Sequence, residues 1–307
     1  MRNSYRFLSA ALALAFCCLL LCACAKNKKG LVPDAEKETH PENENGTAVT
    51  DIEIATYPFT TEFFVGERFE KEGLTLKVTY ANGKKETVSE GFTCTVDPFD
   101  KSGYYPVTVA YGEKTLNYTV TVASEGLAFE LMEGECVLRG IGDCSDTDII
   151  IPSRYEGEKV TMIGGYAFED NTTIRSVVLP EGVLSIADYA FVGCTALESV
   201  KLPDSLETLT GGCFRGCTAL KDVKLPIYLQ KIGSFTFASC PQLSYLVIPK
   251  SVVTMGRHVF ADNDNLSYVY CEAQSKPNGW DSAWNGSSAM EKWGIEWQYT
   301  NGMPILK

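Results

Sequence analysis

The chain has 307 residues, with 27 Lys+Arg against 39 Asp+Glu for a formal net charge of −12, and 45% of its residues are hydrophobic. Such acidity opposes phosphate backbones and anionic head groups, which excludes nucleic acid as a general partner, and two histidines leave little material for general acid–base chemistry. The length exceeds what one core usually serves, so two domains are expected.

Residues 1–23 read as an export signal. Arg2 and Arg6 precede an apolar run from Phe7 to Ala23 that is too short and wrongly flanked for a comfortable membrane span. Leu21-Cys22-Ala23-Cys24 resembles the lipobox of bacterial lipoproteins, which implies cleavage before Cys24 and diacylation of its thiol. The remainder is then expected outside the cytoplasm, lipid-anchored to the bacterial membrane and exposed at the cell surface; loss of the two arginines takes the charge to −14. Residues 24–50 are poor in aromatic and branched apolar side chains, so they read as a flexible tether.

Residues 51–123 change to short alternating apolar segments. Ile52 and Ile54 alternate with acids, and Phe63-Phe64-Val65 precedes a turn at Gly66. Leu74, Leu76, Val78 and Tyr80 lead to Ala81-Asn82-Gly83, a hairpin signal because Asn-Gly tolerates the positive φ of a tight turn. Tyr105, Val107, Val109 and Tyr111, then Leu116, Tyr118, Val120 and Val122, continue the alternation. Six or seven short strands predict a small antiparallel sandwich. Tyr57-Pro58, Phe64-Val65-Gly66-Glu67, Val78-Thr79-Tyr80-Ala81-Asn82-Gly83 and Tyr118-Thr119-Val120-Thr121-Val122 resemble group 3 bacterial immunoglobulin-like domains. That resemblance implies a spacer or binding module without catalysis.

Residues 124–271 contain a repeat. Phe168, Phe191, Phe214, Phe237 and Phe260 recur every 23 residues, as do Pro180, Pro203, Pro226 and Pro249. An apolar frame repeats between them, as in Leu197, Val200 and Leu202, and continues after each Pro, as in Leu206 and Leu209. A fixed period of this size means one strand-plus-turn unit stacked on copies of itself, because a single coil cannot bury its apolar face alone. The third position after each Phe is Asn171, Cys194, Cys217, Cys240 or Asn263, the Asn/Cys ladder of leucine-rich repeats. Cys194-Thr195-Ala196-Leu197-Glu198-Ser199-Val200-Lys201-Leu202-Pro203 and Ile186-Ala187-Asp188-Tyr189-Ala190-Phe191 closely resemble BspA-like leucine-rich repeats. The family implies cell-surface attachment and binding of host or neighbouring-cell macromolecules, without enzymatic activity. The expected fold is therefore an α/β-type solenoid, mostly β with short helical or irregular turns, preceded by the small all-β sandwich. Gly212, where other coils have Tyr166 or Tyr189, is a departure from the repeat.

Few residues are left to carry function. Eight cysteines lie beyond Cys24: Cys94, Cys136, Cys144, Cys194, Cys213, Cys217, Cys240 and Cys271. An even number in a secreted chain invites disulfides, yet three belong to the ladder. Cys213 and Cys217 lack the second ligand pair that a zinc site needs, so no metal or cofactor is expected. His40 lies in the tether, and His258 occupies the column of Tyr166 and Phe235. Register projects two columns from the strands: Ser176, Ser199, Asp222, Tyr245, Tyr268, and Val178, Lys201, Lys224, Val247, Tyr270. Tyr245, Val247, Tyr268 and Tyr270 would form an amphipathic patch suited to an extracellular protein or glycan. Residues 272–307 hold all four tryptophans and read as a cap over the last coil. The expected function is non-enzymatic binding of an extracellular macromolecule through the solenoid, in adhesion or recognition of a host or neighbouring protein. The alternatives are a carbohydrate-binding accessory protein and a structural envelope component.

Overall fold

The computed structural model describes residues 48–294, 297–300 and 303–306. The signal segment, Cys24, His40 and nearly all of the tether lie outside the described residues. Residues 49 and 50, expected to belong to the tether, are instead the start of the strand Val49–Thr56, and the Ala48 carbonyl accepts from the Ala81 amide.

Seven strands make the sandwich: β1 (Val49–Thr56), β2 (Glu62–Phe63), β3 (Thr75–Tyr80), β4 (Lys85–Val88), β5 (Thr93–Thr95), β6 (Gly103–Tyr111) and β7 (Lys114–Val122). They form two sheets, β1-β3-β4 and β2-β7-β6-β5, antiparallel except where β2 joins β7. Period-two alternation decides the core: Leu76 and Val78 from one sheet meet Val107, Val109, Val120 and Val122 from the other, all without solvent exposure. The Asn82-Gly83 turn forms as expected, with Gly83 at φ +82° and the Lys84 amide donating to Asn82 Oδ1.

The solenoid is built entirely of strands and irregular turns; no helix occurs among the described residues. Each 23-residue coil contributes one strand before its Pro and one after. The first ladder is parallel through Asp148–Ile150, Ser176–Val178, Ser199–Lys201 and Asp222–Val223, and resumes through Tyr245–Ile248, Tyr268–Cys271 and Met290–Trp293. The second runs through Glu158–Ile163, Ser185–Ile186, Thr208–Leu209, Lys231–Ile232 and Thr254–Met255. A β8–β9 hairpin (Ala128–Met132, Glu135–Gly140) covers the open edge of the second ladder.

Between the ladders lies a stack of phenylalanines. Phe168, Phe191, Phe214, Phe237 and Phe260 are buried, with successive rings nearly parallel and 4.9, 5.2, 5.6 and 6.0 Å apart. The spacing begins near the ~4.8 Å separation of paired strands and then exceeds it. The coils themselves stay joined on this side, the amides of the five phenylalanines donating to the next coil at 2.7–3.0 Å, so it is the rings that separate toward the C terminus.

Two backbone positions per coil explain why the turns stay irregular. Tyr166, Tyr189, Gly212, Phe235 and His258 have φ between +53° and +62°, and Asp170, Gly193, Gly216, Ser239 and Asp262 between +53° and +75°. Left-handed residues twice per coil prevent helix propagation. Gly212 is thus the residue best suited to its column rather than a departure from it. A Cβ there would also lie 2.6 Å from the Tyr189 ring.

The C-terminal segment extends the solenoid beyond residue 271. His258, Val259 and Phe260 donate their amides to the carbonyls of Ala283, Trp284 and Asn285, and Met290–Trp293 pairs with Tyr268–Cys271. Trp280 and Trp284 are 4% and 3% exposed and pack edge to face at 4.9 Å; Trp293 joins both. The Trp280 indole donates to the Val252 carbonyl. Trp284 also meets Phe260 edge to face at 6.2 Å, so the tryptophan cluster continues the apolar interior beyond the last phenylalanine. Trp297–Thr300 and Met303–Leu306 follow as an antiparallel hairpin.

Candidate functional site: the outward face of the strand ladder

Among the described residues, the ladder side chains of the interior are engaged with backbone carbonyls. Cys194, Cys217 and Cys240 each point Sγ at the carbonyl of the previous coil, Phe168, Phe191 and Phe214, at 2.9, 3.1 and 3.1 Å. Asn263 does the same with Nδ2 to the Phe237 carbonyl at 2.7 Å, while its Oδ1 accepts the Cys240 amide. Asn171, in the first coil of the ladder, instead accepts from the amides of Thr173 and Ile174. The carbonyls of Phe168, Phe191 and Phe214 already accept the amides of Asn171, Cys194 and Cys217 at 3.1, 3.2 and 3.3 Å, so the ladder side chain supplies a second donor to an oxygen with two lone pairs in the core.

All eight described cysteines are unpaired. Burial pushes the Cys194 and Cys240 thiols up to about 12 and raises Cys213, Cys217 and Cys271 as well. They stay protonated at neutral pH and so are poor nucleophiles and poor metal ligands. His258 tilts against Phe235 at 5.5 Å and donates its amide to Ala283; it is part of the turn column.

Outside, the two ends of the first ladder differ. In the early coils polar side chains satisfy one another. Ser176 Oγ donates to Asp148 Oδ1 at 2.6 Å, Arg175 pairs with Asp148 at 3.2 Å, and Lys221 pairs with Glu198 at 2.6 Å. The immunoglobulin-like domain also leans on this end. Lys201 Nζ lies 5.8 Å from the centre of the Tyr104 ring, and the Glu62 carboxylate accepts from Ser153 N at 2.9 Å and Oγ at 3.2 Å. Burial pushes the Glu62 carboxyl up from its ordinary value, and the Ser153 hydrogen bonds only partly oppose this.

In the late coils the Ser176 and Val178 columns carry rings, while Ser244 and Ser267 stand in the column of Arg175, Glu198 and Lys221. Tyr245 lies beside Tyr268, and Val247 beside Tyr270. Tyr268 stacks on Tyr270 at 5.6 Å, Tyr270 meets Tyr245 edge to face at 6.4 Å, and Lys292 Nζ lies 5.8 Å from the Tyr268 ring centre. The three tyrosines are half-buried, so all reach the surface. Val247 departs from the expected exposed patch. It is 8% exposed, because the diagonal Tyr245–Tyr270 pair flanks this short side chain on its own strand and the next.

Two members of the face escaped the sequence reading. Met290 continues the Tyr245–Tyr268 column and is 52% exposed, and Lys292 continues the Val247–Tyr270 column. Their strand follows Tyr268–Cys271 after 22 residues rather than 23, which hid the repeat. Trp293 opposite Cys271 was the available signal.

The chain shows two module classes, and comparison with known families agrees. Residues 142–268 match the BspA type leucine rich repeat region in six copies, and residues 56–122 match the bacterial Ig-like domain (group 3). Residues 56–122 are thus similar to a group 3 immunoglobulin-like domain and residues 142–268 to BspA-type leucine-rich repeats. Such domains are typically non-enzymatic, and the repeat family suggests a role in protein interaction or adhesion.

Among solved structures, a leucine rich repeat protein of T. pallidum is 24% identical, with a TM-score of 0.47 over 56% of this chain and 80% of that one. A leucine-rich repeat protein from Bacteroides ovatus is 24% identical, with a TM-score of 0.40 over 48% of this chain and 46% of that one. The pneumococcal vaccine antigen PcpA is 23% identical, with a TM-score of 0.42 over 48% of this chain and 37% of that one. Comparison with curated proteins found no match.

Proposed function

We propose that this is a non-enzymatic surface lipoprotein, anchored through Cys24 to the bacterial membrane, that binds an extracellular protein through Tyr245, Tyr268, Tyr270, Met290 and Lys292. The observation carrying this reading is the gathering of half-exposed tyrosines, an exposed methionine and a lysine on adjacent strands, while the early coils are internally paired. Tyrosine and methionine are enriched at protein interfaces because they bury much area for little lost freedom. A protein partner is favoured over a glycan by the ring geometry. Tyr268 already stacks on Tyr270 and lies under Lys292, so its faces are engaged within the chain, whereas sugar platforms present open faces. Trp280 and Trp284 are buried and offer no platform either.

The test pairs localisation with binding. Metabolic labelling with a clickable fatty acid should tag the wild-type chain and not Cys24→Ser, and protease added to intact cells should remove the solenoid. Arrays of extracellular proteins and of glycans, probed with wild type and with Tyr268→Ala, should return a protein whose binding is lost in the variant. Binding only to glycans would sink the protein reading, and capture only of the cell's own envelope components would point to a structural role.

A further inference from the structure

One turn of the solenoid breaks the chemistry of its neighbours. The residues after Pro180, Pro203 and Pro249 are Glu181-Gly182, Asp204-Ser205 and Lys250-Ser251, but Pro226 is followed by Ile227-Tyr228. Ile227 and Tyr228 are 59% and 62% exposed. The frame does not require them. Leu229 fills the core position of Val183, Leu206 and Val252, and its amide donates to the Pro226 carbonyl just as theirs donate to their own prolines. An apolar pair set on a turn where sibling coils are polar carries a solubility cost without a folding return, which marks it for contact.

The surroundings select the partner. Tyr228 shares a shallow depression with Leu184, Asp204 and Glu207; Leu184 is 45% exposed, and Val253, in the same column, is 56% exposed. Among the described residues, Asp204 and Glu207 enter no ion pair, and no ring or cation packs on Tyr228. By contrast the Glu181 carboxylate is tied to the amides of Asp204 and Ser205. Lys201 and Lys224 line a neighbouring depression on the Ile227 side of the turn, which Asp204 also borders; the charged residues lining the Tyr228 depression are Asp204 and Glu207, beside the neutral Ser205, Gln230 and Ser251.

We propose that this depression docks a basic segment of a partner protein, in a contact distinct from the tyrosine face. A lysine or arginine would lay its aliphatic stem on Leu184 and Tyr228 and place its cationic head by Asp204 and Glu207. The complementarity is both local and global, since the chain is strongly acidic. An acidic partner would leave like charges facing each other, and a purely apolar one would strip water from two carboxylates without replacing it.

The probe is a blocked, fluorescent octapeptide of alternating Arg and Leu, titrated into the full chain by fluorescence polarisation. Glu-Leu and Arg-Ser octapeptides serve as comparisons. The Arg-Leu peptide should bind, weaken as salt rises, and bind about tenfold less well to Tyr228→Ser and to the double variant Asp204→Asn/Glu207→Gln. Tyr268→Ala should bind it as wild type does. The side chains of Tyr228, Asp204 and Glu207 are exposed, so the melting curves of their variants should be unchanged; should Tyr228→Ser misfold, the charge variant alone decides. Failure of the Arg-Leu peptide to bind, equal binding by the Glu-Leu peptide, or undiminished binding by the charge variant would overturn the proposal. So would a loss confined to Tyr268→Ala.

Discussion

The coil around Phe191 and the coil around Phe260 have the same interior: a stacked ring, a ladder side chain bonded to the carbonyl of the coil before, and a left-handed residue two positions before the Phe. Their outward columns share almost nothing. Ser176, Ser199 and the Arg175–Asp148 and Glu198–Lys221 pairs give way to Tyr245, Tyr268, Tyr270 and Met290. The immunoglobulin-like domain touches the early end, through Tyr104 and Glu62. Solenoid coils can differ so freely because stability comes from each coil's contact with its neighbours through the interior. The outward positions carry little of it and are open to specialise.

This contrast can be broken at its shared part or sharpened at its divergent part. The largest effect is expected inside. Phe214→Ala opens a cavity in the middle of the ring stack and should cost about 3–5 kcal/mol in denaturant unfolding, with loss of cooperativity between the two ends. Next, Tyr268→Ala combined with Tyr270→Ala should weaken partner binding by about tenfold or more while shifting stability little. Ser176→Ala with Ser199→Ala should leave binding unchanged, and an equal loss from both pairs would erase the contrast. Cys217→Ala removes one of the two hydrogen bonds to the Phe191 carbonyl, the Cys194 amide remaining, and should cost up to about 1.5 kcal/mol; Cys217→Asn, borrowing the chemistry of Asn263, should recover part of it. Gly212→Ala, strained at φ +62° and pressed on Tyr189, should cost about 1–2 kcal/mol.

The smallest effect lies at the early end. Because burial raises the Glu62 carboxyl in the folded chain, the folded state holds its proton more tightly than the unfolded state does. Stability from this group is greatest below the ordinary carboxylate range and falls as pH rises through the raised value. Glu62→Gln should flatten that slope in melting temperature measured from acid to neutral pH, and an unchanged slope would remove Glu62 as its source.

Much of the fold was legible because its signals are local and recur. The 23-residue period, the ladder, the Asn82-Gly83 hairpin and the alternating strands each follow from side chains whose burial is set by neighbours at fixed spacing. Gly212 was misread because φ cannot be seen in a side-chain pattern; the left-handed column became visible only when Tyr166, Tyr189, Phe235 and His258 were found to share it. The final coil was missed because its strand arrives one residue early.

By itself, then, the sequence determined the repeating interior and the identity of its columns, since every coil states the same requirement again. Which columns remain open to a partner was decided by tertiary structure alone. Val247 is covered by tyrosines on its own and the adjacent strand, Lys201 stays exposed with a ring from another domain beside it, and the face gains Met290 and Lys292 from an irregular last coil. Accessibility depends on residues brought close from elsewhere in the chain, and no local spacing records them.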